Sequence, residues 1–195
     1  MTSDHSFAHK PTIVGASVTL RPFQDEDLPH LQAAMSDPEV VRLTGSEHTT
    51  QACRTASTPE EALRQWYSTR HEQTDRLDLM VVDNASGSCV GEVVLNEWDP
   101  GNEACNLRIL LGPAGQGRGL GTEAIRLLLG HAFAQLPLHR IDLEVYAFNP
   151  RAQHVYEKVG FVVEGRRRDA LVFDGERIDA VVMSVLRPEW LARRA

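Results

Sequence analysis

A chain of 195 residues, 42% hydrophobic and 24% charged, is the size of one globular domain, and its aliphatic residues recur too evenly for a disordered one. The net charge of −7, from 27 acidic and 20 basic residues, runs against a general nucleic-acid binder. No apolar run approaches the roughly 18–20 residues of a membrane span, and the opening MTSDHSFAHK lacks the apolar stretch of a secretory signal, so a cytoplasmic location is expected.

Residues 1–15 read as a flexible lead-in, 16–190 as a single domain and 191–195 as a tail. Val18 and Leu20 alternate with Thr19 and Arg21, the pattern of a short strand. Asp25, Glu26 and Asp27 open a helix with Leu28, Leu31 and Met35 on one side, because acids suit the positive end of a helix dipole; Pro38 closes it. The polar stretch 36–57 is longer than a compact domain leaves unstructured, and is expected to be a binding loop or to contain a short helix. A second helix starts at Thr58, with Thr58 as cap, Pro59 in the first turn and Glu61 completing a capping box. Leu63, Trp66 and Tyr67 follow at helical spacing. A β-hairpin is expected over 77–83 and 90–95, with Gly87 supplying positive φ, and a turn at Asp99, Pro100, Gly101 and Asn102 leads into a strand over 106–111.

Beyond residue 111 a glycine-rich loop runs into a helix with Leu120, Ala124, Leu128 and Ala132 on one stripe. In a strand over 141–147, Ile141, Leu143, Val145 and Ala147 alternate with Asp142, Glu144 and Tyr146. Asn149 caps a short helix that begins at Pro150, carries Ala152, Val155, Tyr156 and Val159 on one face, and ends at Gly160. Strands over 161–173 and 178–186, joined at Asp174 and Gly175, finish the chain. Hairpins, then β-α-β-α, then a hairpin predict an α/β (α+β) domain: one mixed sheet with helices packed on it. Cys53, Cys89 and Cys105 are odd in number and far apart, and no histidine falls in ligand spacing. Neither a disulfide framework nor a metal site is expected.

The chemistry is concentrated between Gly112 and Thr122, where Gly112, Gly115, Gly117, Gly119 and Gly121 join a strand to a helix. Glycines let backbone N–H groups converge on an anion, the helix start adds its positive dipole end, and Arg118 can add a charged fork. Phosphate or pyrophosphate is the matching ligand. A nucleotide-hydrolase loop requires a Lys after its last glycine, but Thr122 and Glu123 stand there. A dinucleotide fingerprint over 119–124 requires an acidic residue at the end of the next strand, whereas Asp142 stands at its start, and a second βαβ unit is missing.

Gln116, Gly119 and Gly121 in the pattern Gln-x-x-Gly-x-Gly resemble the pyrophosphate loop of the GNAT superfamily of N-acetyltransferases. The runs Asn149-Pro150-Arg151-Ala152 and Val155 to Phe161 are similar to that family's second cofactor-contacting stretch. The closing pattern from Glu164 to Trp190 resembles the branch that holds ribosomal-protein N-terminal acetyltransferases, together with antibiotic and polyamine acetylases. The resemblance implies a single, mostly antiparallel sheet of about seven strands, split in a V between two parallel strands and flanked by about four helices. It implies acetyl-CoA as co-substrate, with pantetheine along Ile109, Leu110 and Leu111 and the pyrophosphate on Gln116, Gly117, Arg118, Gly119, Leu120, Gly121 and Thr122. Asn149 and Ala152 would complete the cofactor site, although Asn149 serves equally well as a helix cap. Tyr156 corresponds to the family's tyrosine general acid, or else is a core residue on its apolar stripe. The implied reaction is direct attack of a primary amine (protein N-terminus, polyamine, aminoglycoside or other small amine) on the thioester in a ternary complex. Non-catalytic CoA-binding sensors or scaffolds and transferases of longer acyl groups are the alternatives, and a homodimer is compatible with each.

A lysine-like amine near pKa 10.4 loses about 4–5 kcal/mol to protonation at pH 7, an α-amine near 7.7 only about 1 kcal/mol, so a general base matters chiefly for the first. Glu103 is the leading candidate, followed by Glu97, Asp99 and Glu92. The run Arg166-Arg167-Arg168 reads as a solvated strand edge or as a contact for the CoA 3′-phosphate.

Overall fold

The computed structural model describes residues 7–193. Eight strands form one sheet in the order β1-β2-β3-β4-β5-β6-β8-β7, where β1 is Ile13–Val14, β2 Val18–Arg21, β3 Leu77–Asp83, β4 Cys89–Asp99, β5 Ala104–Leu111, β6 Arg140–Tyr146, β7 Val162–Phe173 and β8 Glu176–Leu186. The helices among the described residues are α1 Leu28–Met35, α2 Pro38–Thr44, α3 Thr50–Thr55, α4 Glu60–Ser68, α5 Leu120–Gln135, α6 Pro150–Val159 and α7 Arg187–Ala192. The expected mixed sheet is present, with one strand and three helices more than expected. No described helix is long and apolar enough to cross a membrane.

Alternation along the strands sorts the side chains into two layers. Leu77, Leu79, Val81, Val93, Leu95, Leu107, Ile141, Leu143, Val181 and Met183 join the buried stripe of α5 (Ala124, Ile125, Leu128, Leu129, Ala132, Phe133) in the main core. At about 1.5–3 kcal/mol for each large apolar side chain, this layer is the chief source of stability. On the opposite face Met80 and Cys89 meet Leu28 and Leu31 of α1 and Leu63 and Tyr67 of α4. A third cluster ties Val41 and Cys53 to Leu171 and Phe173 of the last hairpin. All three cysteines are free and buried.

Several local expectations are corrected. From Phe7 onward the supposed flexible lead-in is structured. Phe7 is fully buried with its ring 5.1 Å from Trp98, Ile13–Val14 pairs with β2, and Lys10 Nζ donates to the carbonyls of Phe7 and Gln73 at 2.7 Å. Residues 1–6 and 194–195 lie outside the described residues. Asp25–Asp27 is a 3-10 turn before α1, and Pro38 starts α2 rather than merely ending α1. The 36–57 stretch holds two short helices, each with its own cap. Asp37 accepts from Glu39 N and Val40 N, and Thr49 accepts from Ala52 N. Thr58 does not cap α4; Pro59 holds the cap position and its carbonyl receives Leu63 N.

The feature that makes a site is the junction of β5 and β6. They pair in parallel only from Ala104 to Asn106 against Arg140 to Asp142, after which β5 continues to Leu111 beside β4 while β6 follows β8. The two strands therefore splay, and the β6-side edge of β5 from Leu107 onward has no strand partner.

Candidate active site

A cleft of about 760 Å³ opens in the splay, within the range of small-molecule sites. Its walls include β5 from Asn106 to Leu111, the loop from Gly115 to Gly121, β6 at Glu144, Val145 and Tyr146, and α6 at Asn149, Arg151, Ala152, Val155 and Tyr156. The C-terminal half of α2 forms its rim: an added Cβ at Gly45 would lie 2.4 Å from the Tyr146 ring, so the helix end sits directly on β6.

The loop adopts the backbone its glycines permit. Gly117 and Gly119 have φ of +75° and +82°, and Gly119 is the residue before α5. A Cβ at Gly119 would meet nothing within 4 Å, so the space in front of the loop is open. Gly121 does different work: a Cβ there would lie 2.9 Å from Leu111 Cδ1, so its lack of a side chain lets α5 start against β5. Leu120, Gly121 and Thr122 form the first turn of a 16-residue helix, whose amides have no acceptor within the helix. Open space, converging amides and a positive dipole end fit a diphosphate. The β6-side edge of β5 at Ile109 and Leu110, which no strand pairs, fits an extended amide-bearing arm such as pantetheine, ending at the Leu111 carbonyl that Gln116 occupies.

Two residues expected on the phosphates are committed elsewhere. Arg118 Nη1 donates to Asp83 Oδ2 at 2.8 Å and to the Ala114 carbonyl at 3.2 Å, pinning the loop to the end of β3. The guanidinium beside Asp83 holds that buried carboxyl below the usual carboxylate range. Gln116 Nε2 donates to the Leu111 carbonyl at 2.9 Å, so its side chain shapes the strand end. Arg151, not singled out as a ligand from sequence, is the cation beside the loop: its Nη1 donates to Gln116 Oε1 at 3.5 Å, and its Nη2 lies 4.0 Å from where a Gly117 Cβ would stand. Asn149 caps α6 through Oδ1, which accepts from Ala152 N at 3.1 Å, and it also lines the cleft. Capping occupies the carbonyl oxygen and leaves the amide NH₂ as a donor toward the cleft.

Tyr156 is 8% exposed, its ring edge-on to Phe161 at 5.9 Å, and it forms part of the cleft wall. Burial pushes its phenol up to about 12, so the proton is held at neutral pH. Core and cleft residue are therefore one position.

The candidate bases separate clearly. Glu103 lies in the exposed turn before β5 with φ of +50°, and its carbonyl, not its carboxylate, receives His139 N and Arg140 N; it is not part of the cleft wall. Asp99 closes the same turn by accepting from Gly101 N, Asn102 N and Asn102 Nδ2. Glu97 lines the cleft from an exposed position with φ of +54°. Glu92 lines it from the strand interior, opposite Leu110 in the β4–β5 register, and accepts the Tyr67 hydroxyl at 2.7 Å. Burial raises its pKa, against the lowering effect of the Tyr67 hydrogen bond. Glu144 also lines the cleft, with Arg167 Nη1 2.7 Å from both carboxylate oxygens, so one arginine of the Arg166–Arg168 run reaches the rim.

A mixed sheet split at a parallel pair, with an amide-lined loop at the mouth and a buried tyrosine in the wall, is the frame of a CoA-dependent acyltransferase. A sequence profile described as "Acetyltransferase (GNAT) domain" matches residues 17–162, and the chain belongs to this family. It is 30% identical over 180 residues to the spermidine N(1)-acetyltransferase of Escherichia coli K12, covering 90% of this chain and 89% of the relative. It is 31% identical over 91 residues to the [ribosomal protein uS5]-alanine N-acetyltransferase of the same organism, covering 47% of each. The crystal structure of spermidine N-acetyltransferase from Vibrio cholerae with CoA and spermine superimposes with a TM-score of 0.79 at 25% identity, covering 91% of this chain and 99% of that one. The protein is an acetyl-CoA-dependent N-acetyltransferase with an amine as acceptor.

Proposed function

We propose that the chain acetylates a primary amine of a polyamine of the spermidine class, with Glu92 as proton acceptor and Tyr156 as proton donor. The observation that carries this reading is the placement of Glu92 and Glu97 on the cleft wall, two carboxylates with no arginine ion pair among the described residues, unlike Glu144, which Arg167 neutralises; they suit a cationic acceptor. The match across nine-tenths of the chain to a spermidine acetyltransferase supports it. The ribosomal branch is the second reading, supported by a match over about half of the chain.

Bound acetyl-CoA supplies the thioester carbonyl and the thiolate leaving group. In the proposed site the amides of 117–122 and Arg151 hold the diphosphate, and Asn149 with the edge of β5 orients the arm. Glu92 takes the proton that an alkylammonium must lose before it can attack, a step worth about 4–5 kcal/mol at pH 7. Its raised pKa brings it nearer the working pH, where a base is most effective. The amine nitrogen bonds to the carbonyl carbon as the carbon–sulfur bond breaks. Tyr156 gives its phenolic proton to the sulfur and is restored by the second N–H proton that the new amide nitrogen sheds, while the proton on Glu92 returns to solvent.

Thiol release with acetyl-CoA, comparing spermidine, spermine and a peptide with a free α-amine, tests the acceptor class. Turnover is expected with the polyamines and to fall at least tenfold with the peptide; the reverse order favours the ribosomal reading. Light scattering with and without CoA reads out whether a second copy of the chain is a partner.

A further inference from the structure

We infer that Tyr67 is a positioning residue for the reaction: its hydroxyl holds one oxygen of Glu92 so that the other is presented to the acceptor amine. The inference rests on the proposed role of Glu92 and adds a residue from a different element, α4, which packs on the sheet face opposite the body of α5.

Tyr67 sits in the last turns of α4, only 2% exposed, its ring stacked on Phe23 at 5.1 Å and 17° and packed with Leu28, Leu31, Leu63 and Met80. That packing leaves the hydroxyl little freedom, and it points at Glu92 Oε2, 2.7 Å away. The other oxygen, Oε1, accepts no hydrogen bond from the described residues, and Glu92 is part of the cleft wall. A carboxylate has acceptor capacity on both oxygens, so a donor on one leaves the second in a defined orientation for substrate. The hydroxyl oxygen of Tyr67 also keeps an unused lone pair, but as a buried phenol near a carboxylate it holds its proton: burial and Glu92 both push its pKa up. Tyr67 therefore donates and does not titrate in the working range.

Other charged groups face Glu92 as well. Asp78 on β3 raises its pKa, while Arg76, paired with Asp78, and Arg108 on β5 lower it. Arg70, following α4, and the Cys89 thiol complete the surroundings, and α1 contributes only the exposed His30. Among these groups Tyr67 alone hydrogen-bonds the carboxylate.

The test is Tyr67→Phe, which keeps the ring and its stacking. Loss of a donor to the charged form should move the acid limb of kcat, measured at saturating polyamine and acetyl-CoA, alkaline by about one pH unit, a tenfold change in the protonation constant. On the acid side of the limb kcat should fall about tenfold and recover at higher pH, with acetyl-CoA affinity within about twofold of wild type. Glu92→Gln should remove the limb. A ¹³C carboxyl titration of Glu92 without substrates should show the same alkaline shift in Tyr67→Phe, independently of turnover. A Tyr67→Phe enzyme that loses rate equally at every pH, or whose limb and carboxyl titration stay in place, overturns the positioning role. If Glu92→Gln keeps its limb and its rate, the failure lies instead with Glu92 as the base.

Discussion

Replacing Tyr156 with Phe separates packing from chemistry at one atom. The ring remains against Phe161 and beside Val159 in the main core, so the apolar contacts that stabilise α6 are retained. The hydroxyl makes no hydrogen bond with the described residues and borders the cleft, so its removal strands no buried partner. The change in stability should therefore stay within about 0.5 kcal/mol, or roughly 1–2 °C in thermal midpoint for a domain of this size. Cofactor affinity can lose at most about one neutral hydrogen bond, roughly 1 kcal/mol or fivefold. Turnover should fall much further, by about 10²–10⁴, if the phenol is the proton source for the departing sulfur. Because burial holds the phenol near 12, wild-type kcat should show no loss of this acid below about pH 11. Thiol release gives kcat, calorimetry gives the Kd for acetyl-CoA, and thermal melting gives stability. Unchanged kcat alongside unchanged Kd would return Tyr156 to the core and refute the assignment.

Gly119→Ala places a Cβ in open space, so its only cost is the left-handed φ of +82°, about 1–2 kcal/mol. Either the fold loses that much or the loop rearranges and Kd for acetyl-CoA rises about 5–30-fold; no change in melting or in Kd contradicts the cradle. Glu103→Gln should leave kcat within about twofold, because the structure commits only its main chain, whereas Glu92→Gln should lower it about 10²–10⁴-fold at neutral pH. Glu164, bonded to Arg140 at 2.7 Å and to Ser184 Oγ at 2.7 Å, is held down at about 2 from an ordinary 4.5. A depressed carboxyl stabilises the fold above its unfolded pKa and loses that contribution as pH falls through the folded value. Melting should therefore decline between about pH 4.5 and 2, and Glu164→Gln should flatten that decline; an identical decline in both proteins refutes the link.

Features encoded by neighbouring residues were legible in the sequence. Gly87, the α6 cap at Asn149, the terminating Gly160 and the alternation of β6 each depend on residues within a turn of one another. The turn-rich backbone of the loop before α5 was legible for the same reason, since its positive-φ glycines and the helix start are consecutive. Side-chain commitments across the fold were not. Arg118 turns to Asp83, 35 residues earlier, and Glu92 meets Tyr67, 25 residues earlier, because strand register and α4 packing bring them together. Glu103 shows the converse. The family resemblance pointed to a base near the start of β5, but the strands are still paired there, the splay opens only beyond Asn106, and Glu103 is not part of the cleft wall. The caps of α2 and α3, Asp37 and Thr49, are readable in hindsight, but six- and seven-residue helices are too short to show a period.

Calorimetric titration of the wild-type protein with CoA and, separately, with pantetheine tests the diphosphate cradle most directly. Saturable binding of CoA, at least about tenfold tighter than that of pantetheine and weakened by Arg151→Ala, is the predicted result. Equal affinity for the two ligands, or no binding of CoA at all, contradicts the account.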